Sequence, residues 1–286
     1  MLFVRMKIPA LNKLYGIMTC VALGQSGFAA SAQTSDLVSK TALRVCSDPA
    51  NDPISNQDGS GYENKLAALL ASKLELPVQY AWYPQSTGFI RNTLRVNKCD
   101  VVVGYAQGHE MVQNTNHYFT SVYTLVTRRD SAIADVDAIS DERLKGLRLG
   151  VVAGSPPATH MARNGLIAKA KAYNLVVDRR HESPILDMLN DLRDGEIDGA
   201  LIWGPIAGPL VKTQFPELQV NLLLKETLPP RLFFRITMGV RLGEKVWERK
   251  LNSLIRRNQD EINALLTDAG VPLTNEYGTG LLGEPK

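Results

Sequence analysis

The chain has 286 residues, of which 44% are hydrophobic and 21% are charged, and its formal charge is +3. These fractions are ordinary for a globular protein and exclude collagenous, low-complexity and globally disordered chains. The length predicts about two domains or lobes.

The N-terminal segment has the pattern of a secretory signal peptide. Three basic residues, Arg5, Lys7 and Lys13, precede an apolar run over residues 14–23, and Ala30-Ser31-Ala32 follows as a small-residue cleavage signal. We predict that residues 1–32 are removed and that the mature protein is secreted, with an uncleaved anchor as the alternative. The apolar run is too short for a permanent membrane span, so we predict no span.

The positive charge of the chain belongs to this leader. Without its three basic residues, the 32 Lys and Arg of the chain become 29, against 29 Asp and Glu. A neutral mature chain does not support binding to a phosphate backbone, which needs several Lys or Arg on one face. We therefore predict no nucleic-acid partner.

The first half of the chain alternates between strand and helix patterns. An apolar strand begins at Leu43, apolar residues at helical spacing predict a helix over residues 62–74, and Pro77 opens a strand over residues 78–82. Residues 119–127 and 232–240 are predicted strands that we interpret as two crossings between lobes. Two βαβ lobes with mainly parallel sheets follow from this order.

A weak internal repeat supports the two lobes. Residues 94–103 and 192–201 share the pattern Leu-Arg-x-(Asn/Gly)-charged-apolar-Asp, and residues 43–49 resemble residues 147–152. Asn97 and Gly195 are residue types that tolerate the left-handed conformation at the end of a helix. We predict that lobe 1 comprises residues 33–127 plus 238–286 and that lobe 2 comprises residues 128–237.

The C-terminal part is predicted to be helical. Apolar residues from Val246 to Ile255 form one stripe, and Asn258 with Glu261 three residues later resembles a capping box for a second helix. We expect the glycine-containing tail from Thr274 onward to be loose.

Two cysteines remain after removal of the leader. Cys46 and Cys99 form an even pair in a chain predicted to reach an oxidising compartment, so we predict a disulfide bond. Two free buried thiols are the alternative.

Loops at the carboxyl ends of the strands are the candidate site, because open α/β sheets bind ligands there. We expect loops 47–60, 83–88, 105–110, 154–160 and 203–208 to face each other across a cleft that closes by a hinge motion. About half of the aromatic residues on or beside these loops are expected to be ordinary packing residues. The candidate ligand or partner residues are Asp48, Asn56, Tyr62, Tyr83, Arg91, Tyr105, Gln107, His109, Ser155 and Trp203.

Motifs for catalysis, metals and cofactors are missing. The glycines at 150–154 lack the lysine of a phosphate loop, residues 56–61 lack the final acid of a calcium loop, and the histidines lack zinc-ligand spacing. We predict no metal, no cofactor and no enzymatic activity. The alternative of an enzyme would use His109 and Glu110 as acid and base.

Several motifs resemble one family. The order of elements resembles the type II periplasmic solute-binding fold over residues 43–269. Within this fold, the chain most resembles the MxaJ-type proteins, which are binding proteins associated with quinoprotein dehydrogenases. The motifs that carry this resemblance are Cys46-Ser47-Asp48-Pro49, Gly61-Tyr62-Glu63-Asn64, Trp82-Tyr83-Pro84-Gln85, residues 88–94, Cys99-Asp100-Val101-Val102, residues 104–108 and residues 113–118. The resemblance implies a two-lobed fold with two hinge crossings.

The resemblance also implies a function. It is that of a non-catalytic periplasmic accessory protein that binds or helps mature a PQQ-dependent methanol dehydrogenase, through its large or small subunit. The alternative is the solute-binding component of an ABC importer for a small non-amino-acid ligand. Residues 107–114 lack the arginine that grips an amino-acid carboxylate in this fold, and Trp203 stands where an acid would hold the ammonium group. A buried amino acid would lack partners for its charges.

Overall fold

The structure is a computed structural model that describes residues 37–108 and 110–284. The predicted signal peptide over residues 1–32 and the candidate residue His109 lie outside the described residues.

The described chain alternates between strands and helices. The strands are β1 (Leu43–Ser47), β2 (Ala50–Asn51), β3 (Ser55–Asn56), β4 (Val78–Trp82), β5 (Val101–Ala106), β6 (Gln113–Asn114), β7 (Phe119–Arg128), β8 (Leu149–Val152), β9 (Lys171–Tyr173), β10 (Gly199–Trp203), β11 (Leu218–Leu222) and β12 (Phe233–Val240). The helices are α1 (Tyr62–Leu74), α2 (Phe89–Asn92), α3 (Pro156–Arg163), α4 (Pro184–Arg193), α5 (Gly204–Thr213), α6 (Lys245–Arg257) and α7 (Gln259–Asp268).

One mixed sheet runs through the described chain in the order β4-β1-β5-β12-β7-β10-β8-β9. The pairs of β1 with β4 and β5, and of β8 with β9 and β10, are parallel. The long strands β7 and β12 pair with each other and connect the two sides, because β12 also pairs with β5 and β7 also pairs with β10. The α/β class is thus confirmed, and both predicted crossing segments are strands. The division into lobes at residues 127/128 and 237/238 stays a prediction.

The internal repeat corresponds to a repeated structural unit. Asn97 and Gly195 have positive φ angles of 60° and 79°, respectively, and each ends a helical turn. After each stop an aspartate binds an arginine at the start of the neighbouring parallel strand: Asp100 pairs with Arg44, and Asp198 pairs with Arg148. The backbone N–H of each aspartate donates to the carbonyl of the same arginine at 2.7 Å.

Separate apolar cores lie on the two sides of the connecting strands. On the side of β1 and β5, α1, α6 and α7 pack on the sheet around Leu66, Leu70 and Leu251. On the other side, one core lies around Leu125, Leu144 and Leu149, and another lies around Met188, Leu189 and Leu210.

The predicted capping box at the start of α7 is wrong. Asn258 is the N-cap residue, but its amide Nδ2 donates to the carbonyl of Leu254 at 2.7 Å. The carboxylate of Glu261 instead accepts from Lys73 Nζ at 2.6 Å. The Asn258 side chain therefore binds the end of α6, and the Glu261 side chain binds a lysine of α1.

The prediction of a loose tail is also wrong over the described residues. Thr274 is buried and bridges both Thr120 and Leu281, and its N–H donates to the Thr120 carbonyl at 2.9 Å. The glycines allow close approach, since a Cβ on Gly278 would lie 2.4 Å from Cβ of Phe233. No helix among the described residues has the length and apolar character needed to cross a bilayer.

Candidate functional site

A cavity of about 530 Å³ lies where loops from both sides of the connecting strands meet, and we call it the cleft pocket. One wall comes from residues 50–53 and 60–65, and the other from residues 179–186 and one face of α5, with Asp268 and Ala269 at the base. Its size is within the range of small-molecule sites. The lining mixes aliphatic groups with Asp52, Lys65 and Glu182.

Two glycines allow α5 to lie against the end of α7. A Cβ on Gly208 would lie 2.0 Å from the carbonyl oxygen of Gly270, so only a glycine fits at this crossing. Lys212 Nζ also donates to the Asp268 carbonyl. These contacts fix the base of the cleft pocket.

An ion pair links the two walls beside the cleft pocket. The carboxylate of Asp48, in the loop after β1, accepts from the backbone N–H groups of Ala50 at 2.9 Å and Gln85 at 2.7 Å. Its Oδ2 also accepts from Arg179 Nη1 at 3.3 Å, and Arg179 belongs to the loop between β9 and α4. Asp48 is buried, so these donors supply the partners that a buried carboxylate requires.

Asn56 and Tyr62 lie close to the cleft pocket but have different surroundings. The Asn56 side chain is buried and binds Asp52 and Ser60, which stabilises the loop that forms one wall. Tyr62 begins α1, lines the pocket and packs in the core, where burial raises the pKa of its phenol well above 10.

Four other candidate residues, on the side of β1 and β5, do not line the cleft pocket. The Tyr83 hydroxyl accepts from Asn92 Nδ2 at 2.9 Å, and Tyr105 packs beside the apolar cluster around the two cysteines. Arg91 and Gln107 are exposed, and the Gln107 N–H donates to the Arg235 carbonyl at 2.9 Å.

The two candidate residues on the side of β8 and β10, Ser155 and Trp203, contact neighbouring groups of the protein. Ser155 is buried, and its hydroxyl donates to the Val152 carbonyl at 2.7 Å. Trp203, at the end of β10, packs against the rings of Tyr123 and Phe234, with centroid distances of 5.3 and 5.5 Å. Trp203 thus completes an aromatic cluster between the two connecting strands.

Sequence reasoning missed the loop before α4. Arg179, Glu182 and Ser183 of this loop line the cleft pocket, although the loop was not among the five candidate loops. A run of five charged or titratable residues over 178–182, placed between a strand and Pro184, was the available signal. Among the described residues, no group of three or more His, Cys, Asp and Glu side chains is arranged to hold a metal ion.

The carboxyl group of Glu63 lies against the backbone of β5. Its Oε1 is 1.8 Å from the position that a Cβ on Gly104 would occupy, so the strand needs a glycine there. Burial raises the pKa of Glu63 to about 8. Near neutral pH the folded protein therefore holds a proton on Glu63 that the unfolded chain, with a pKa near 4.5, releases.

We expect Glu63→Gln to change how stability depends on pH. The native state binds the proton more tightly than the unfolded state does, so this contribution is fully present below about pH 4.5 and is lost as pH rises through about 8. Relative to the wild type, the variant should gain roughly 3 kcal/mol between pH 5 and pH 8, since each pH unit between the two pKa values changes the free energy of unfolding by about 1.4 kcal/mol. Urea unfolding at pH 5 and at pH 8 measures the free energy of unfolding of the variant and the wild type. Glu217→Gln, at an exposed position, is the control. An equal difference at both pH values would contradict this account.

Comparisons with known proteins show extended similarity. No family model matches the chain. The chain is 27% identical to Protein MoxJ of Methylorubrum extorquens over 246 residues, covering 81% of each chain. It is 27% identical to Protein MoxJ of Paracoccus denitrificans over 265 residues, covering 87% of this chain and 95% of that one.

Solved structures are also similar to this chain over most of its length. The periplasmic binding protein XoxJ from Methylobacterium extorquens AM1 superposes with a TM-score of 0.70 and 38% identity, over 82% of this chain and 100% of that one. MxaJ from Methylophaga aminisulfidivorans MPT superposes with a TM-score of 0.68 and 24% identity, over 81% and 99%. An ancestral cationic amino acid solute-binding protein, at 19% identity and a TM-score of 0.62, shares the fold. The predicted two-lobed type II binding-protein fold is thus confirmed.

Proposed function

Because the chain belongs to the MxaJ-type family of periplasmic binding proteins, which is associated with methanol oxidation, we propose that it is a non-catalytic accessory protein of a PQQ-dependent methanol dehydrogenase. It works in the periplasm, where it binds the dehydrogenase or helps it mature. The observation that carries this proposal is the 38% identity to XoxJ, which extends over the whole of that chain.

The chemistry of the candidate site agrees with a role other than amino-acid import. An amino acid held in a closed cleft needs a cation for its carboxylate and an acid for its ammonium group. The resemblance predicts that acid at the position of Trp203, whose ring packs in an aromatic cluster with Tyr123 and Phe234. Arg179, which reaches the cleft from a different loop, already has Asp48 as its partner.

A deletion strain tests the role in the cell. We expect loss of this chain to lower methanol dehydrogenase activity in periplasmic extracts, and expression of the intact chain from a plasmid to restore it. The amount of dehydrogenase subunit and its PQQ content, measured in the same extracts, separate a role in maturation from one in turnover. Unchanged activity, amount and cofactor content in the deletion strain would contradict the proposal.

The second candidate function is the binding of a small solute for an ABC importer, and the cleft pocket favours it. Its volume of about 530 Å³ and its mixed lining would accommodate a small polar molecule. Since a ligand that binds only the native state raises the melting temperature, a thermal-shift screen with alcohols, PQQ, metals and small organic acids tests this function. A shift for one compound, abolished by Lys65→Ala in the pocket wall, would support import over the accessory role.

A further inference from the structure

One face of α6 carries a concentration of positive charge. Its five basic residues are all exposed: Lys245, Arg249, Lys250, Arg256 and Arg257. The single acid of the helix, Glu248, is engaged by the side-chain amides of Gln113 and Asn252. Throughout residues 37–108 and 110–284, none of these five cations has an ion-pair partner.

A second basic segment lies beside the start of α6. The guanidinium of Arg241 donates to the carbonyl groups of Leu94, at 3.3 Å, and Cys99, and thereby holds the turn over residues 95–98 next to the residues that lead into the helix. Arg95 and Lys98 in this turn are exposed, and neither belongs to an ion pair of the described chain.

Exposed aliphatic side chains accompany these cations. The exposed fractions are 54% for Val96, 67% for Leu242 and 67% for Val246. We define the basic surface as Arg95, Val96, Lys98, Leu242, Lys245, Val246 and Arg249. Aliphatic groups among unpaired charges are typical of a surface that a partner covers.

Folding of the chain alone does not account for the basic surface. Lys245 is the first residue of α6, where the helix dipole is positive and a basic residue is unfavourable. The chain after residue 32 has equal numbers of acidic and basic residues, so the concentration is local. Both observations indicate a role in binding an acidic surface.

The packing of α6 decides between a protein and a membrane as the acidic surface. A helix that lies on a bilayer inserts an apolar face. Here the apolar face, formed by Trp247, Leu251, Leu254 and Ile255, is at most 5% exposed because it packs on the sheet. We propose that the basic surface docks an acidic face of the dehydrogenase, an inference that rests on the proposed accessory function.

Matched charge reversals test this surface. Lys245→Glu with Arg249→Glu is compared with Arg163→Glu and Lys169→Glu, two exposed cations on the other side of the connecting strands that also lack an ion pair among the described residues. Both double variants change the net charge equally. Calorimetric titration against the purified dehydrogenase, at low and high salt, should show about tenfold or greater weakening for the first variant and less than about threefold for the control. Circular dichroism verifies that both are folded.

Each outcome has one meaning. Strong weakening of the first variant alone, together with a smaller salt dependence, supports docking through the basic surface. Equal effects of the two variants, or no effect of either while the wild type binds, overturn the surface but leave the accessory function standing. Absence of binding by the wild type to both the PQQ-containing and the PQQ-free dehydrogenase overturns both. A membrane role is tested by co-sedimentation with phosphatidylglycerol-containing vesicles. If the wild type binds the vesicles, and the first variant loses this binding but keeps its affinity for the dehydrogenase, the basic surface binds the membrane and the inference is overturned.

Discussion

Replacing Asp100 with asparagine is expected to lower the free energy of unfolding by about 3 kcal/mol, because an uncharged amide no longer balances the buried guanidinium of Arg241 and the partly exposed guanidinium of Arg44. Asp100 is 1% exposed, and its carboxylate accepts from Arg44 at 2.6 and 2.8 Å and from Arg241 at 2.6 Å. Burial would raise the pKa of Asp100, but these hydrogen bonds outweigh it and hold the pKa below its usual value.

The internal repeat supplies a matched control for this prediction. Asp198 occupies the equivalent position, and its carboxylate pairs with Arg148 at 2.7 Å. Their side chains are 23% and 47% exposed, respectively, and no second arginine of the described chain forms an ion pair with Asp198. Asp198→Asn should cost no more than about 1 kcal/mol, because solvent screens the pair. Urea unfolding of both variants near pH 7 measures the two costs. Similar costs at the two positions would show that burial is not the deciding factor.

Removing the disulfide bond is expected to destabilise the protein by roughly 4 kcal/mol on the chain-entropy relation, since the bond closes a long loop. The predicted bond between Cys46 and Cys99 is present, with a sequence separation of 53 residues and a Cα–Cα distance of 5.3 Å. It joins the end of β1 to the residue before Asp100, so its loss also loosens the ion network beside it.

Paired measurements isolate the contribution of the bond. The double variant Cys46→Ala, Cys99→Ala is compared with the wild type under oxidising and reducing conditions, with melting temperature as the readout. The reductant should lower the melting temperature of the wild type and leave that of the variant unchanged. Two reactive thiols in the unfolded, unreduced wild type would contradict the disulfide.

The repeated unit was the part of the fold that the sequence predicted best. Its strands, its stop residues Asn97 and Gly195, and the position of Asp100 follow from local patterns of spacing and residue type. The partners of Asp100 did not follow, because Arg241 is brought beside it from 141 positions along the chain by the pairing of β12 with β5.

The candidate site was predicted less completely, for two physical reasons. The loop that carries Arg179 is charged, and a charged loop between a strand and a helix most often faces solvent, so its place in the cleft pocket depends on the packing of α4 and α5. The burial of Glu63 depends on a glycine 41 positions away, in a strand whose register no local pattern specifies. Asp48 and Tyr62 were chosen as candidates because they follow a strand and begin a helix, and the structure places Tyr62 in the lining of the cleft pocket and Asp48 beside it.

Direct binding to the dehydrogenase tests the central claim. The purified chain, with its disulfide intact, is mixed with PQQ-containing and PQQ-free methanol dehydrogenase from the same organism, and each mixture is analysed by sedimentation velocity. We predict a faster-sedimenting complex with at least one of the two forms. Independent sedimentation of the components with both forms, at concentrations well above those in the periplasm, would contradict the accessory function.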